Sequence, residues 1–167
     1  MPYTLEVLAQ DCRDALQNNP EQVGRTAVRD CIAKACADDA FVATHLSAAD
    51  APERHILYQD ADLGFCILAH AYRGEKHSNP HDHGPSWAIY GQAAGKTSMT
   101  DWKVLKRPDN GEPGVVESAR EYDMERGDAY LYNVGDVHSP SRISETRLIR
   151  VEGMDMTTVK RDKFVIA

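Results

Sequence analysis

From Pro52 onward the chain is a series of short runs rich in β-branched and aromatic residues, and nothing else constrains its fold as strongly. The runs are "HILYQ", "GFCILAHAY", "SWAIYGQ", "KTSMTDWKVL", "GVVESAREY", "DAYLYNV", "TRLIRVEG" and "KFVIA". Gly, Pro, Asp and Asn separate them, in "DADLG", "RGEKHSNPHDHG", "RPDNGEPG", "ERGD" and "VGD". Short strands at even spacing predict a β-sandwich or barrel. No amphipathic helical pattern lies between the runs, so a parallel sheet of strand–helix–strand units is not expected. "KRPDNGEPG" reads as an exposed loop.

Ahead of this region the pattern is helical. Leu5, Leu8, Cys12 and Leu16 recur at helical spacing. Asn19-Pro20 reads as an N-cap followed by proline at the first helical position, with Gln22 as capping-box partner. Val23, Ala27, Cys31 and Ala35 form one stripe of that second helix, with Val28 and Ile32 beside it. The organisation expected is a single domain of 167 residues: a helical extension over 1–50 and a β-barrel over 51–167.

The formal net charge of -7 argues against a nucleic-acid or membrane-surface partner, though not against a small anion held locally. No run approaches the length needed to span a bilayer, and the N-terminal "MPYTLEVLAQDCRD" lacks the features of a signal peptide. A cytoplasmic protein with reduced thiols is therefore expected. The cysteines Cys12, Cys31, Cys36 and Cys66 form no CxxC pair, and Cys31 and Cys36 read as packing residues.

The chemistry lies in the histidines. In "NPHDHGPSWAIYGQAAG", His81 and His83 are two apart, so a strand would turn both rings to one side and Asp82 to the other. A third histidine, His138, closes "GDAYLYNVGDVHSP". Asp136 reads as a backbone cap in that turn. Tyr130 and Tyr132 share a face ahead of His138, and the Tyr132 hydroxyl is a candidate hydrogen-bond donor to whatever reacts at the metal. Among the other histidines, His70 reads as a supporting or core group and His77 as exposed.

Two spacings carry a resemblance. His81-x-His83, four residues, Ala88, six residues and Gly95 resembles the first motif of the cupin superfamily, with alanine where glutamate is usual. Gly127, five residues, Asn133, Val134, Gly135, two residues and His138 resembles the second, with asparagine where proline is usual. The resemblance runs from about Pro52 to the C-terminus. It implies a mainly β, single-domain cupin, a double-stranded β-helix or jelly-roll barrel, with His81, His83 and His138 as metal ligands. Without a carboxylate at 88, three neutral imidazoles keep the full charge of a divalent ion and leave open positions for an anionic ligand.

Three-histidine cupins most often hold iron(II) and use dioxygen, and the same donors also suit zinc, nickel or manganese. Within the superfamily the chain is most similar to the cysteine dioxygenase-like thiol dioxygenases. That similarity places Arg54, in "RHILYQDADLGFCIL", where those enzymes bind a substrate carboxylate; Arg150 is a second candidate. Two departures are clear. The late strand "TRLIRVEG" offers Arg147, Arg150 and Glu152 in place of a Ser-His-Tyr relay, and Ala88 precludes the thioether crosslink. The function expected is iron(II)-dependent oxidation of a small anionic substrate, thiols included, by dioxygen. A redox-neutral metal-dependent lyase or isomerase and a non-catalytic small-molecule-binding cupin remain alternatives. A homodimer is a further expectation from the resemblance.

Overall fold

The computed structural model describes residues 2–167. Three helices come first: α1 (Leu5–Asn18), α2 (Gln22–Ala37) and α3 (Asp39–His45). Ten strands follow: β1 (Arg54–Gln59), β2 (Cys66–Tyr72), β3 (Lys76–His77), β4 (Ala88–Ala94), β5 (Thr97–Lys106), β6 (Gly114–Met124), β7 (Ala129–Tyr132), β8 (Val137–Arg142), β9 (Thr146–Glu152) and β10 (Phe164–Ile166).

The strands form two five-stranded sheets, ordered β1-β2-β9-β4-β7 and β10-β6-β5-β8-β3. Without the edge strands β1 and β10, the orders β2-β9-β4-β7 and β3-β8-β5-β6 are the two interleaved Greek keys of a jelly roll. The expected mainly β barrel with a helical extension is what the chain forms.

Side-chain alternation explains the layering. Along β9, Ile149 and Val151 join a core shared with Leu8, Cys12, Val28, Ile32 and Cys36 of the helices. The neighbouring positions Leu148, Arg150 and Glu152 turn to the other face, between the sheets. Ala88, Tyr90, Met99, Met124 and Tyr132 cluster there. The first sheet is thus covered on both faces, which is why β2 and β4 are nearly continuous apolar runs. Gly91 permits the close approach of α2, since a Cβ there would lie 2.4 Å from Ile32 Cγ2.

Three local expectations are corrected. α2 begins at Gln22, because the Asn19 side chain accepts the N–H of Glu21 in a turn ahead of the helix. Its buried stripe is Gly24, Val28, Ile32, Ala35 and Cys36, and Val23 is 70% exposed. A third helix, capped by the Asp38 carboxylate on the Phe41 N–H, lies within the helical region expected over 1–50. Strands β3 and β8 arise from polar and proline-bearing segments that do not read as strands, held there by pairing with each other and with β5. The described residues contain no helix long and apolar enough to cross a membrane.

Candidate metal centre

His81 and His138 form an isolated antiparallel bridge in which each backbone N–H donates to the other's carbonyl, at 3.0 and 2.9 Å. His138 itself lies on β8. After His81 the chain turns: the Asp82 carboxylate accepts the Gly84 N–H at 3.0 Å, and the His83 carbonyl accepts the Ser86 N–H at 3.0 Å. His81 and His83 therefore converge through a bridge and a turn, and not through the alternation of one strand as the sequence suggested. Motif glycines serve the same geometry. Gly95 and Gly135 have φ of 71° and 86°, the left-handed region that favours glycine.

One ring nitrogen from each of His81, His83 and His138 lies within 4.8 Å of the others. His83 Nε2 and His138 Nε2 are 3.3 Å apart. His81 Nδ1 lies 2.9 Å from the Asn79 carbonyl, which can only accept, so Nδ1 carries the proton and Nε2 keeps a lone pair. Burial pushes His81 down to about 4 and holds His83 and His138 well below the usual histidine range. All three are neutral near pH 7, the form that binds metal. Three neutral nitrogens meeting at one point fit a divalent ion.

No carboxylate belongs to this group. Asp82 is held in its turn, and Asp136 accepts the Asn133 N–H at 2.7 Å in the capping role expected. Tyr90 is the close neighbour instead. Its hydroxyl lies 3.1 Å from His83 Nε2 and 3.5 Å from His81 Nε2.

Beside His81 opens a cavity of about 210 Å³, lined by Tyr72, Ser78, His81, Tyr90, Pro140, Arg142, Arg150 and Arg161. Three arginines and no acid line it, in a chain of net charge -7. Arg142 is 1% exposed. Its Nε donates to Thr97 Oγ1 at 3.1 Å, and Thr97 in turn donates to Gln92 Oε1 at 2.9 Å. Its Nη2 is buried with no hydrogen-bond partner. The Tyr72 ring lies 4.4 Å from this guanidinium. A desolvated cation–π contact contributes about 2 kcal/mol or somewhat more, whereas burying an ion costs several. Arg142 is therefore under-compensated by the protein alone.

The remaining sequence candidates lie as follows. Arg54 Nη2 sits 3.7 Å from Glu152 Oε2 and 3.8 Å from Asp155 Oδ1, and it does not line the cavity. Arg150 does line it, 4.2 Å over the Tyr90 ring and 3.7 Å from Glu152 Oε1. The Tyr132 ring stacks on His138 at 3.9 Å, and its hydroxyl meets Tyr122 Oη at 2.6 Å. His70 Nδ1 lies 3.1 Å from the hydroxyl of the cavity residue Tyr72.

Sequence reasoning did not single out Tyr72, Tyr90 or Arg142. The signal for Tyr90 was available: it lies two residues beyond Ala88 on one strand and so shares its inward face.

No protein-family model matches the chain, and no curated protein sequence does. Solved structures are similar in fold at low identity. One is a cupin superfamily protein from Desulfitobacterium hafniense, at 13% identity and TM-score 0.44, covering 64% of this chain and 84% of that one. The Cnp3 cupin domain of Schizosaccharomyces pombe gives 12% and 0.46, covering 65% and 70%. An oxalate oxidase bound to glycolate gives 14% and 0.46, covering 66% and 56%. At these values the likeness decides nothing about chemistry. The jelly-roll assignment rests on the chain's own strand order.

Proposed function

We propose that the protein is a metal-dependent oxidoreductase of cupin type, in which His81, His83 and His138 would hold iron(II) and a small anionic substrate would be oxidised by dioxygen. The observation that carries this reading is the adjacency of two things: three neutral imidazoles free of any carboxylate, and a cavity lined by Arg142, Arg150 and Arg161. When bound, the ion supplies the redox chemistry that dioxygen needs.

The protein's own residues do the rest. The arginines draw an anion into a net-negative molecule and orient it against His81. The Gln92–Thr97–Arg142 chain of hydrogen bonds holds the deepest guanidinium in place, so little reorganisation accompanies binding. The Tyr90 hydroxyl, buried and raised above its usual range by that burial, remains protonated and donates a hydrogen bond beside the imidazoles. Ala88 adds no side-chain donor, so no carboxylate of the protein stands between the imidazoles and the substrate's own anionic group.

The test is anaerobic loading with iron(II), followed by oxygen uptake across a panel of thiols, β-diketones and small carboxylic acids. Uptake coupled to loss of one substrate class is expected. No uptake with any of them, together with anaerobic turnover in a zinc, nickel or manganese form, would replace this reading with a redox-neutral lyase or isomerase.

A further inference from the structure

The geometry points to a substrate with two negative charges: the arginine-lined cavity is a dianion site, with Arg142 gripping an acidic group away from the reacting one. This rests on the cavity being the substrate site of the proposed oxidation, and it adds the substrate class.

Charge counting leads there. Arg150 shares the buried carboxylate of Glu152, 3.7 Å away. Arg142 and Arg161 pair with no acid among the described residues. Two cations thus face the cavity without counter-charge, and one of them is almost wholly buried with Nη2 unpartnered. A single carboxylate would answer only one of them. Two acidic groups on one small molecule answer both, and a guanidinium fork matches a carboxylate in plane. The volume, about 210 Å³, equals the liquid share of roughly seven waters. That suits a short-chain dicarboxylate or a carboxylate bearing a second compact acidic group. Arg142 is also pre-set: Thr97 and Gln92 fix its Nε side, while its buried Nη2 has no partner within the protein.

The experiment uses chelator-treated, metal-free full-length protein titrated calorimetrically with succinate and with butyrate, which differ by one carboxylate. Succinate should bind at least about tenfold more tightly, one charge-assisted hydrogen bond being worth that much. Arg142→Gln and Arg161→Gln should each weaken succinate by at least about fivefold and leave butyrate less affected. Arg161 is exposed, so its variant will fold even if the buried Arg142 variant does not. Equal affinity for the two acids, or unchanged succinate binding in folded Arg161→Gln, overturns the dianion site. Because these titrations need neither metal nor oxygen, the two readings separate. Tight succinate binding without oxygen uptake in the iron form keeps the site and removes the oxidation. Oxygen uptake with monoanions and no preference for succinate does the reverse.

Discussion

The Tyr90 hydroxyl lies 3.1 Å from His83 Nε2 and 3.5 Å from His81 Nε2, so the side chain that meets these imidazole nitrogens is a neutral phenol and not a carboxylate. A phenol adds no charge and competes poorly with imidazole for an ion, but it can donate a hydrogen bond to an anion beside it. Tyr90→Phe should therefore keep its metal content and lose turnover, by about a hundredfold or more, the lower edge of what a positioned proton donor contributes. Metal analysis and oxygen uptake on the same preparation check this. Metal loss with retained specific activity per bound ion would make the hydroxyl a ligand.

His81→Ala, His83→Ala and His138→Ala should each lose most bound metal, since two imidazoles remain of the three whose nitrogens meet. Asp82→Asn should retain it, because an amide oxygen can still accept the Gly84 N–H that holds the turn. Metal stoichiometry after gel filtration checks the set. Metal loss in Asp82→Asn equal to that of His83→Ala would assign a ligand role to the aspartate.

Much of this centre was legible because it depends on local spacing. His83, Gly95 and Gly135 sit in turns, whose chemistry is written in consecutive residues, and His81 and His138 stand at fixed spacings from them although a long-range bridge joins the two. Arg142 was not legible. Its inward direction follows from β8, a strand that contains Pro140 and polar neighbours and exists because β5 and β3 pair with it. The anion-binding role proposed for Arg54 came from resemblance, and only the three-dimensional register shows Glu152 and Asp155 beside that side chain. Val23 reads as part of an apolar stripe, yet the packing of α2 over Gly91 sets the buried face elsewhere.

The metal-free protein should lose stability as pH falls below neutrality. Burial depresses His70, His81, His83 and His138 in the fold, His81 to about 4. Below the unfolded histidine value, near 6.5, the unfolded chain binds protons that the folded chain excludes. The stability is then fully present above that value and lost as pH drops, with His81 contributing down to about 4. Each group steepens the loss by up to about 1.4 kcal/mol per pH unit. Urea unfolding at about pH 7.5 and about pH 5.5 measures it. A His70→Leu variant should show a shallower slope; a flat wild-type profile would mean these imidazoles are not neutral and buried.

The helices should stabilise the barrel without touching its chemistry. Ile32 is fully buried where α2 crosses Gly91, in the core shared with β2, β4 and β9. Ile32→Ala should cost about 2–5 kcal/mol, the range for a buried aliphatic truncation. Metal affinity should be unchanged in the folded fraction. Denaturant midpoints and metal titration check the pair, and a large drop in metal affinity at unchanged stability would couple the extension to the centre.

Arg54 provides the sharpest contrast with the cavity arginines. Its guanidinium is 37% exposed and stands beside two acids, Glu152 and Asp155. Glu152 is 1% exposed, and its other cation is Arg150. Replacing Arg54 by glutamine removes one of two positive neighbours from a buried carboxylate, while the half-open position lets water take over part of the solvation. The expected cost is about 1 kcal/mol in stability. Affinity for a small anion should change by less than about twofold when the cavity is the anion site, because Arg54 does not line it. Arg142→Gln in the same assay should weaken binding by at least about fivefold. The comparison is direct: calorimetric titration of both variants with succinate, beside their urea midpoints. A tenfold loss of affinity in Arg54→Gln, at unchanged stability, would move the anion contact from β8 and β9 to β1 and return the substrate site to the position first suggested by resemblance.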